Sequence, residues 1–445
     1  MKYTTERNSW YLSNFAAFEQ SLNGELESPV HALRRDAIRR FDKLGFPTNR
    51  HEEWRFTNIQ PILKADLKPI AGPRPVPAAR SEVERLSFGT RCRLVFVNGY
   101  YVKDLSSVES LPKGVWCGSL AVAQKQDQEV LHQHLARYAK YADSTFTALN
   151  TAFLRDGAFI YVPDNTLFDE PIHLLFLTAD ADHSFISPRN LVVIGANSQV
   201  SIVESYASLT DRPYLTNVVT EIVLGEHSLL EHDKLQNEGL NAFHVASTHS
   251  YQMGKTAFTS NSIALGGSIA RNDVVAVLDG AGSECTLNGL SLSSGTQLID
   301  NHTSIDHAKP NCESHELYKA ILDGKSRGVF NGKIFVRQDA QKTDAKQTNK
   351  TLLLSDEATI DTKPQLEIFA DDVKCTHGAT VGQLEPEQVF YLRTRGIDET
   401  AARDILTFAF ASDVVSRIHV EPLREQLESL IHTRLDEGRK IKGRD

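Results

Sequence analysis

VLDGAGSECTLNGLSL, residues 277–292, and ILDGKSRGVFNGKIFV, residues 321–336, decide the fold. With one residue deleted they align over an Asp-Gly turn and an Asn-Gly step, at a lag of 43 to 44 residues. A shorter pair, VIGANSQV (193–200) and VLGEHSLL (223–230), aligns in the same way. Read as two coils of about 22 residues, the longer lag falls within the range of solenoid repeats. Such a unit cannot bury its apolar face alone, so coils must stack and share a core. From residue 157 onward, short β-branched runs such as AFIYVP, IHLLFL and TEIVLGEHSLLEH alternate with Gly, Asn, Asp and Ser turns. The pattern predicts a mainly β chain, a β-helix or related β-solenoid over about 157–390, with no useful helix between 157 and 395. A closed β-sandwich is the alternative, and similarity at a fixed lag disfavours it. The end coils of a solenoid expose strand edges that need a cap or a partner.

Near its C-terminal end the β region holds KPQLEIFADDVKCTHGATVG, residues 363–382. Leu366, Ile368 and Ala370 alternate with Glu367 and Phe369, the period-two signature of a strand. After Asp371 and Asp372, a second run places Val373, Cys375, His377 and Ala379 on one parity. In an extended chain, residues two apart leave the same face with Cα atoms roughly 6.5–7 Å apart. A thiol and an imidazole would then point the same way. Both suit zinc, iron or an iron–sulfur cluster. Two ligands are half of a usual site, so the rest would come from elsewhere in the fold or from another chain. The competing reading makes Cys375 a small buried hydrophobe and His377 a hydrogen-bonded histidine.

The flanks read as helical. Three regions follow: 1–155, helical with a short β-hairpin; 156–395, the solenoid; and 396–445, helical again. Ser28-Pro29 is a helix start, an N-cap followed by proline at the first helical position. In HEEWRFTNI, residues 51–59, Trp54 and Phe56 are expected to pin a helix end or loop onto a core. The prolines of AGPRPVPAARSE mark a linker, and Asn98-Gly99 marks a hairpin turn between two strands. Residues 120–154 read as amphipathic helix, on which His132 and His134 fall on different sides and do not form a joint metal site. Asp398 caps one C-terminal helix and Pro422 opens another, whose stripe of Leu423, Leu427, Leu430 and Ile431 needs a partner or the solenoid end to cover it.

Composition excludes several functions. The apolar fraction of 41% and charged fraction of 24% are those of an ordinary globular chain. A net charge of −9 without a basic block argues against nucleic acid as the main partner. No apolar run reaches the length of a membrane span, and MKYTTERNSWYLSNF lacks the apolar core of a secretory signal. The five cysteines, Cys92, Cys117, Cys285, Cys312 and Cys375, include no C-x-x-C pair, and their odd number suits a reducing cytoplasm. Gly254-Lys255-Thr256 and Gly324-Lys325-Ser326 resemble the end of a P-loop, but the glycine required five residues earlier is His249 or Lys319. The enzymatic rival is a β-solenoid acting on polysaccharide, with Asp300, His302, Asp306, His307, Asp339 and Asp344 as candidate groups, although turn aspartates have a structural explanation.

SRGVFNGKIFV (326–336), DAQKTDAKQTNKTLLLS (339–355), DTKPQLEIFADDVKCTHGATVGQL (361–384) and FYLRTRGI (390–397) resemble the SufD group of the SufB/SufD family, which belongs to the SUF iron–sulfur cluster assembly machinery. Trp54-Arg55-Phe56-Thr57 is similar to an N-terminal element of that family. At the decisive stretch the SufB group carries an H-E-A run where this chain has Cys-Thr-His-Gly-Ala, and often a C-x-x-C-x-x-x-C element that is absent here. The resemblance implies a right-handed parallel β-helix with helical ends. It further implies a non-catalytic scaffold subunit in a complex of one SufB, one SufD and two copies of the ATPase SufC. SufB would pair through the β-helix ends and SufC would dock on the C-terminal helices. A transient cluster or iron would be shared with SufB, with His377 as a ligand and the neighbouring Cys375 as the second candidate. A purely structural adaptor without ligands is the alternative, and a homodimer is the expected form to test when the partners are missing.

Overall fold

The computed structural model describes residues 2–22, 26–70, 72–73, 79–109, 111–126, 128–179 and 183–442. Residues 74–78, with Pro75 and Pro77 of the expected linker, lie outside the described residues. Two long parallel sheets run side by side. The first ends on Thr359–Ile368 and passes back through Arg327–Val336, Leu298–His307, Ile269–Leu278, Phe243–Gln252, Tyr214–Leu224 and Arg189–Ile194 to Ala158–Val162. The second ends on Lys374–Gly382 and passes back through Asp344–Leu353 and five further strands to Leu167–Thr178 and Cys92–Val97. Successive strands alternate between the sheets, giving a parallel β-solenoid of about seven coils.

The register corrects the expected coil length. Val193 lies opposite Val223, so the shorter sequence repeat spans one coil. Phe243 lies opposite Ile269 and Arg327 opposite Thr359, so coils run from 26 to 32 residues rather than about 22. The lag of 43 to 44 is therefore one and a half coils: Val277 belongs to the first sheet and Ile321 to the second. The two half-coils are built alike, each a strand of about ten residues and a short turn, so the sequence repeats from one sheet to the other.

The Asn-Gly step of that repeat has a packing reason. Gly289 and Gly332 both face the interior. A Cβ on Gly289 would lie 2.2 Å from the Tyr318 ring, and one on Gly332 would lie 2.3 Å from the Gln347 amide. Gly289 thus leaves room for a ring from the next coil of its own sheet, and Gly332 for an amide from the next half-coil. One corner of the solenoid stacks left-handed residues: Asn197, His227, Lys255, Gly282, Asn311 and Lys342 all have φ between 54° and 74°. Their N–H groups donate to the turn of the following coil, as Asn197 does to Glu226 and Lys255 to Ala281. The first P-loop look-alike is one of these turns. The interior joins Leu174, Ile202, Ile222, Leu287, Ile305 and Phe330 to a buried polar group in which Glu204 meets His232 at 3.2 Å and Glu238 meets His244 at 2.7 Å.

Ser28 caps the helix Pro29–Leu44 by accepting from the His31 N–H. Asn98-Gly99 turns the hairpin between Cys92–Val97 and Tyr100–Tyr101, with φ of 52° and 81°. Residues 120–154 form three short helices, Leu120–Lys125, Glu129–His134 and Thr145–Ala152, rather than one amphipathic run. Tyr11, Phe15, Phe41, Phe46, Phe146 and Phe153 gather the N-terminal helices against the first sheet.

Two further expectations change at the C-terminus. A helix, Pro386–Thr394, follows the last strand directly, within the span where none was expected. Its apolar residues Val389, Phe390 and Tyr391 are consecutive, so it has no amphipathic period to detect. The apolar stripe of the helix Glu421–Lys442 is covered by the flank of the solenoid and not by its end. Leu423, Leu427 and Ile431 are buried against outward-facing Val203, Leu235, Ile263, Leu290, Ile321 and Leu352 of the second sheet. Among the described residues no helix is long and apolar enough to cross a membrane.

Candidate metal-ligand edge

The last strand, Lys374–Gly382, pairs on one side with Asp344–Leu353 and is the end member of its sheet. Cys375 lies opposite Ala345 and His377 opposite Gln347. Ala345 and Gln347 face the interior, so the thiol and the imidazole share the inner face at the final coil. They differ in surroundings. Cys375 is half-buried and packs with Ile334, Val336, Ala345 and Ala370. Burial, with the Asp344 carboxylate as a smaller cause, raises its thiol pKa above the ordinary value. His377 is exposed, because among the described residues no further coil covers it.

A polar column continues inward from His377. Gln347 donates its amide to Glu316, one coil deeper, at 2.7 Å. Both are buried, and burial pushes the Glu316 carboxyl up to about 7. The rim of the same end is apolar: Ile368, Phe369 and Val381 are exposed, Phe369 by 59%. An unpaired strand edge beside exposed apolar side chains is a surface suited to a partner.

Thiol and imidazole fit iron or zinc by their donor chemistry. Among the described residues no group of three or more His, Cys, Asp and Glu side chains is arranged to hold a metal ion. The edge therefore presents two donors and no complete coordination sphere.

The candidate groups of the carbohydrate reading do not converge. Asp300 and His302 face outward from the first sheet, whereas His307 faces inward and shares a hydrogen bond with Ser314 at 2.9 Å. Asp306 pairs with Arg337 at 2.6 Å and Asp344 with Lys346 at 3.2 Å. Asp300 is fully buried in a clasp that holds the N-terminal region on the solenoid. It accepts from Thr57 at 2.6 Å and from Arg271 at 2.9 Å, and meets His302 at 3.0 Å. The Arg271 guanidinium lies 3.9 Å from the Trp54 ring centre and donates to the Glu53 carbonyl at 2.6 Å. HEEWRFTNI is thus a structural anchor through Trp54, which packs on the N-terminal core as expected, whereas Phe56 lies half-buried beside Arg55; its partners Arg271 and Asp300 lie more than 200 residues away and carry no local signal.

Two family models cover this architecture. Residues 5–174 match the SufBD protein N-terminal region, and residues 176–410 match the SufBD core domain of the SUF system for FeS cluster assembly. The chain belongs to the SufBD family. It is 35% identical over 426 residues to an iron–sulfur cluster assembly SufBD family protein of Synechocystis, covering 94% of each chain. It is 32% identical to the iron–sulfur cluster assembly protein SufD of Escherichia coli, covering 89% of this chain and 91% of that one. A SufD of Bacillus subtilis is 25% identical over 74% of this chain and 76% of its own length. The SufBD core match spans both the solenoid and the edge that carries Cys375 and His377.

Proposed function

We propose that this SufBD family chain is a non-catalytic scaffold subunit of SUF cluster assembly. It pairs end to end with SufB, contributes to the nascent cluster or iron as cargo, and docks the ATPase SufC. The observation that carries this reading is the thiol and imidazole on one face of a strand whose outer edge has no neighbour among the described residues. Two donors at an open edge suit a site completed by a second chain, and the apolar rim of Ile368, Phe369 and Val381 supplies burial for such a contact. His377, exposed and unencumbered by packing, is the first ligand; Cys375 is its neighbour. SufC docks on the C-terminal region, where Phe390, Tyr391 and Ile405 stay exposed after the apolar stripe has been buried in cis. The proposed compartment is the cytoplasm, in keeping with an odd number of cysteines that are all free thiols. Without its partners the same edge pairs two copies of this chain.

The test is co-purification of wild type and His377→Ala with SufB and SufC, followed by anaerobic iron and sulfide analysis. Equal complex with lost iron and sulfide supports the ligand role. Equal complex with equal cluster favours the second reading, a structural adaptor. The packing of Cys375 in an apolar cluster is the observation on that side.

A further inference from the structure

The solenoid has a second end, and two cysteines meet there. Cys92 opens the strand Cys92–Val97, at the far end of the second sheet. Cys117 lies in Trp116–Ser119, which ends the first sheet by pairing antiparallel with Ala158–Val162. Their sulfurs are 3.7 Å apart, and both are free thiols. Cys92 is fully buried and Cys117 is half-buried among Tyr101, Val108, Leu111 and Val115. The other three cysteines are placed differently. Cys285 faces the interior, the Cys312 thiol donates to the Gly280 carbonyl at 3.3 Å, and Cys375 lies on the last strand at the opposite end.

We infer that Cys92 and Cys117 form a dithiol site that a small disulfide of the glutathione class oxidises to an intramolecular disulfide, stapling the two sheets together at the N-terminal end of the solenoid. A disulfide needs its sulfurs about 2 Å apart, so the pair closes by less than the diameter of an atom, within reach of side-chain rotation. Cys117 is the entry point because it is the half-buried member of the pair, whereas Cys92 has no exposure. Its thiol loses a proton and attacks the added disulfide, releasing one glutathione thiolate. The Cys92 thiol, losing its proton, then displaces the second glutathione. Two cysteines are oxidised by two electrons, one disulfide is reduced to two thiols, and the two protons end on the released glutathiones. The hydrogen bond with Cys92, and burial after it, raise the Cys117 pKa, so the first step is slow at neutral pH.

The test treats the full chain with glutathione disulfide in excess, then alkylates it in denaturant and maps its peptides. The expected wild-type product has a peptide joining the Cys92 and Cys117 segments, and only three of its five cysteines take up alkylating agent. Its thermal midpoint rises and falls back on reduction. Cys92→Ala is expected to stop at glutathione bound to Cys117, heavier by one glutathionyl group. If wild type also stops at that mixed disulfide, with Cys92 still alkylatable, the inference fails. It fails equally if all five cysteines stay reduced. Should Cys92→Ala not fold, the wild-type peptide map decides alone.

Discussion

The hydroxyl of Thr57 donates to the carboxylate of Asp300 at 2.6 Å, across 243 residues of chain. That contact sits inside a charged cluster of Arg271, Asp273, His302 and Glu53, roofed by Trp54. Its parts compensate one another: Arg271 and Asp300 are both buried, so neither is tolerable alone. Asp300→Ala strips the buried guanidinium of one of its two carboxylates and leaves Thr57 unpaired. The expected cost is about 3–5 kcal/mol, read from denaturant unfolding. Thr57→Val, which removes one hydrogen bond to a charged group, should cost about 1.5–3 kcal/mol.

The same cluster sets a pH dependence. Asp300, beside His302 and Arg271, holds the His302 imidazolium so that its pKa rises to about 9, despite burial. A group raised in the folded state stabilises fully below its unfolded pKa and loses that contribution as pH climbs through the folded one. His302 therefore contributes below about pH 6.5 and loses its share between there and about pH 9, a change of roughly 3 kcal/mol at most. The expected result is that wild type loses stability relative to His302→Gln over that window. Parallel curves for the two would show that His302 is not charged in the clasp.

Gly289 tests the interior. Its missing Cβ accommodates the Tyr318 ring, so Gly289→Ala should overpack the core and destabilise by about 1–3 kcal/mol. Tyr318→Ala alone opens a cavity. The double variant should be less damaged than the sum of the two, because the new methyl occupies part of that cavity. Additive costs in unfolding experiments would mean that the glycine serves the backbone and not the ring.

These packing relations show what the chain discloses locally and what it does not. Parallel coils, turn glycines and helix caps at Ser28 and Asp398 are properties of neighbouring residues, and each is legible in order along the sequence. The coil length is not, because the half-coils of the two sheets resemble each other and a lag of one and a half coils mimics a whole number. The clasp of Trp54 on Arg271 and the approach of Cys92 to Cys117 join residues that only the folded path brings together. For the proposed ligand edge, the shared face of Cys375 and His377 follows from strand parity. Their unequal burial does not, since it depends on which coil is last.

The C-terminal helices carry a fourth prediction. Leu427 is fully buried against the second sheet, so Leu427→Ala should cost about 2–5 kcal/mol in an unfolding titration. Deleting residues 398–438 would uncover the same sheet face, so loss of SufC from such a truncation would report damage to the solenoid as much as loss of a contact. Phe390 and Tyr391 separate the two effects. They are 68% and 57% exposed, and replacing both with alanine should leave stability within about 1 kcal/mol while weakening SufC binding, read by co-purification. Unchanged binding would move the docking surface away from the helix Pro386–Thr394.

Cys375 and His377 should respond differently to the same truncation. His377 is exposed at the open edge, and His377→Ala is expected to leave unfolding within about 0.5 kcal/mol of wild type. Cys375 fills a small apolar cluster with Ile334, Val336 and Ala345, and Cys375→Ala should cost about 1 kcal/mol through lost packing. The thiol also carries a chemical signature. Burial first, and the Asp344 carboxylate second, hold its pKa above the ordinary value, so little thiolate exists at neutral pH. Alkylation of Cys375 in the native chain should therefore be slow and should accelerate with pH beyond the point where an ordinary thiol has levelled off. Asp344→Asn removes the nearer charge and should shift that rise to lower pH, whereas His377→Ala should not move it. Fast alkylation at neutral pH would instead mark Cys375 as an activated thiol and make it, ahead of His377, the residue on which the edge depends.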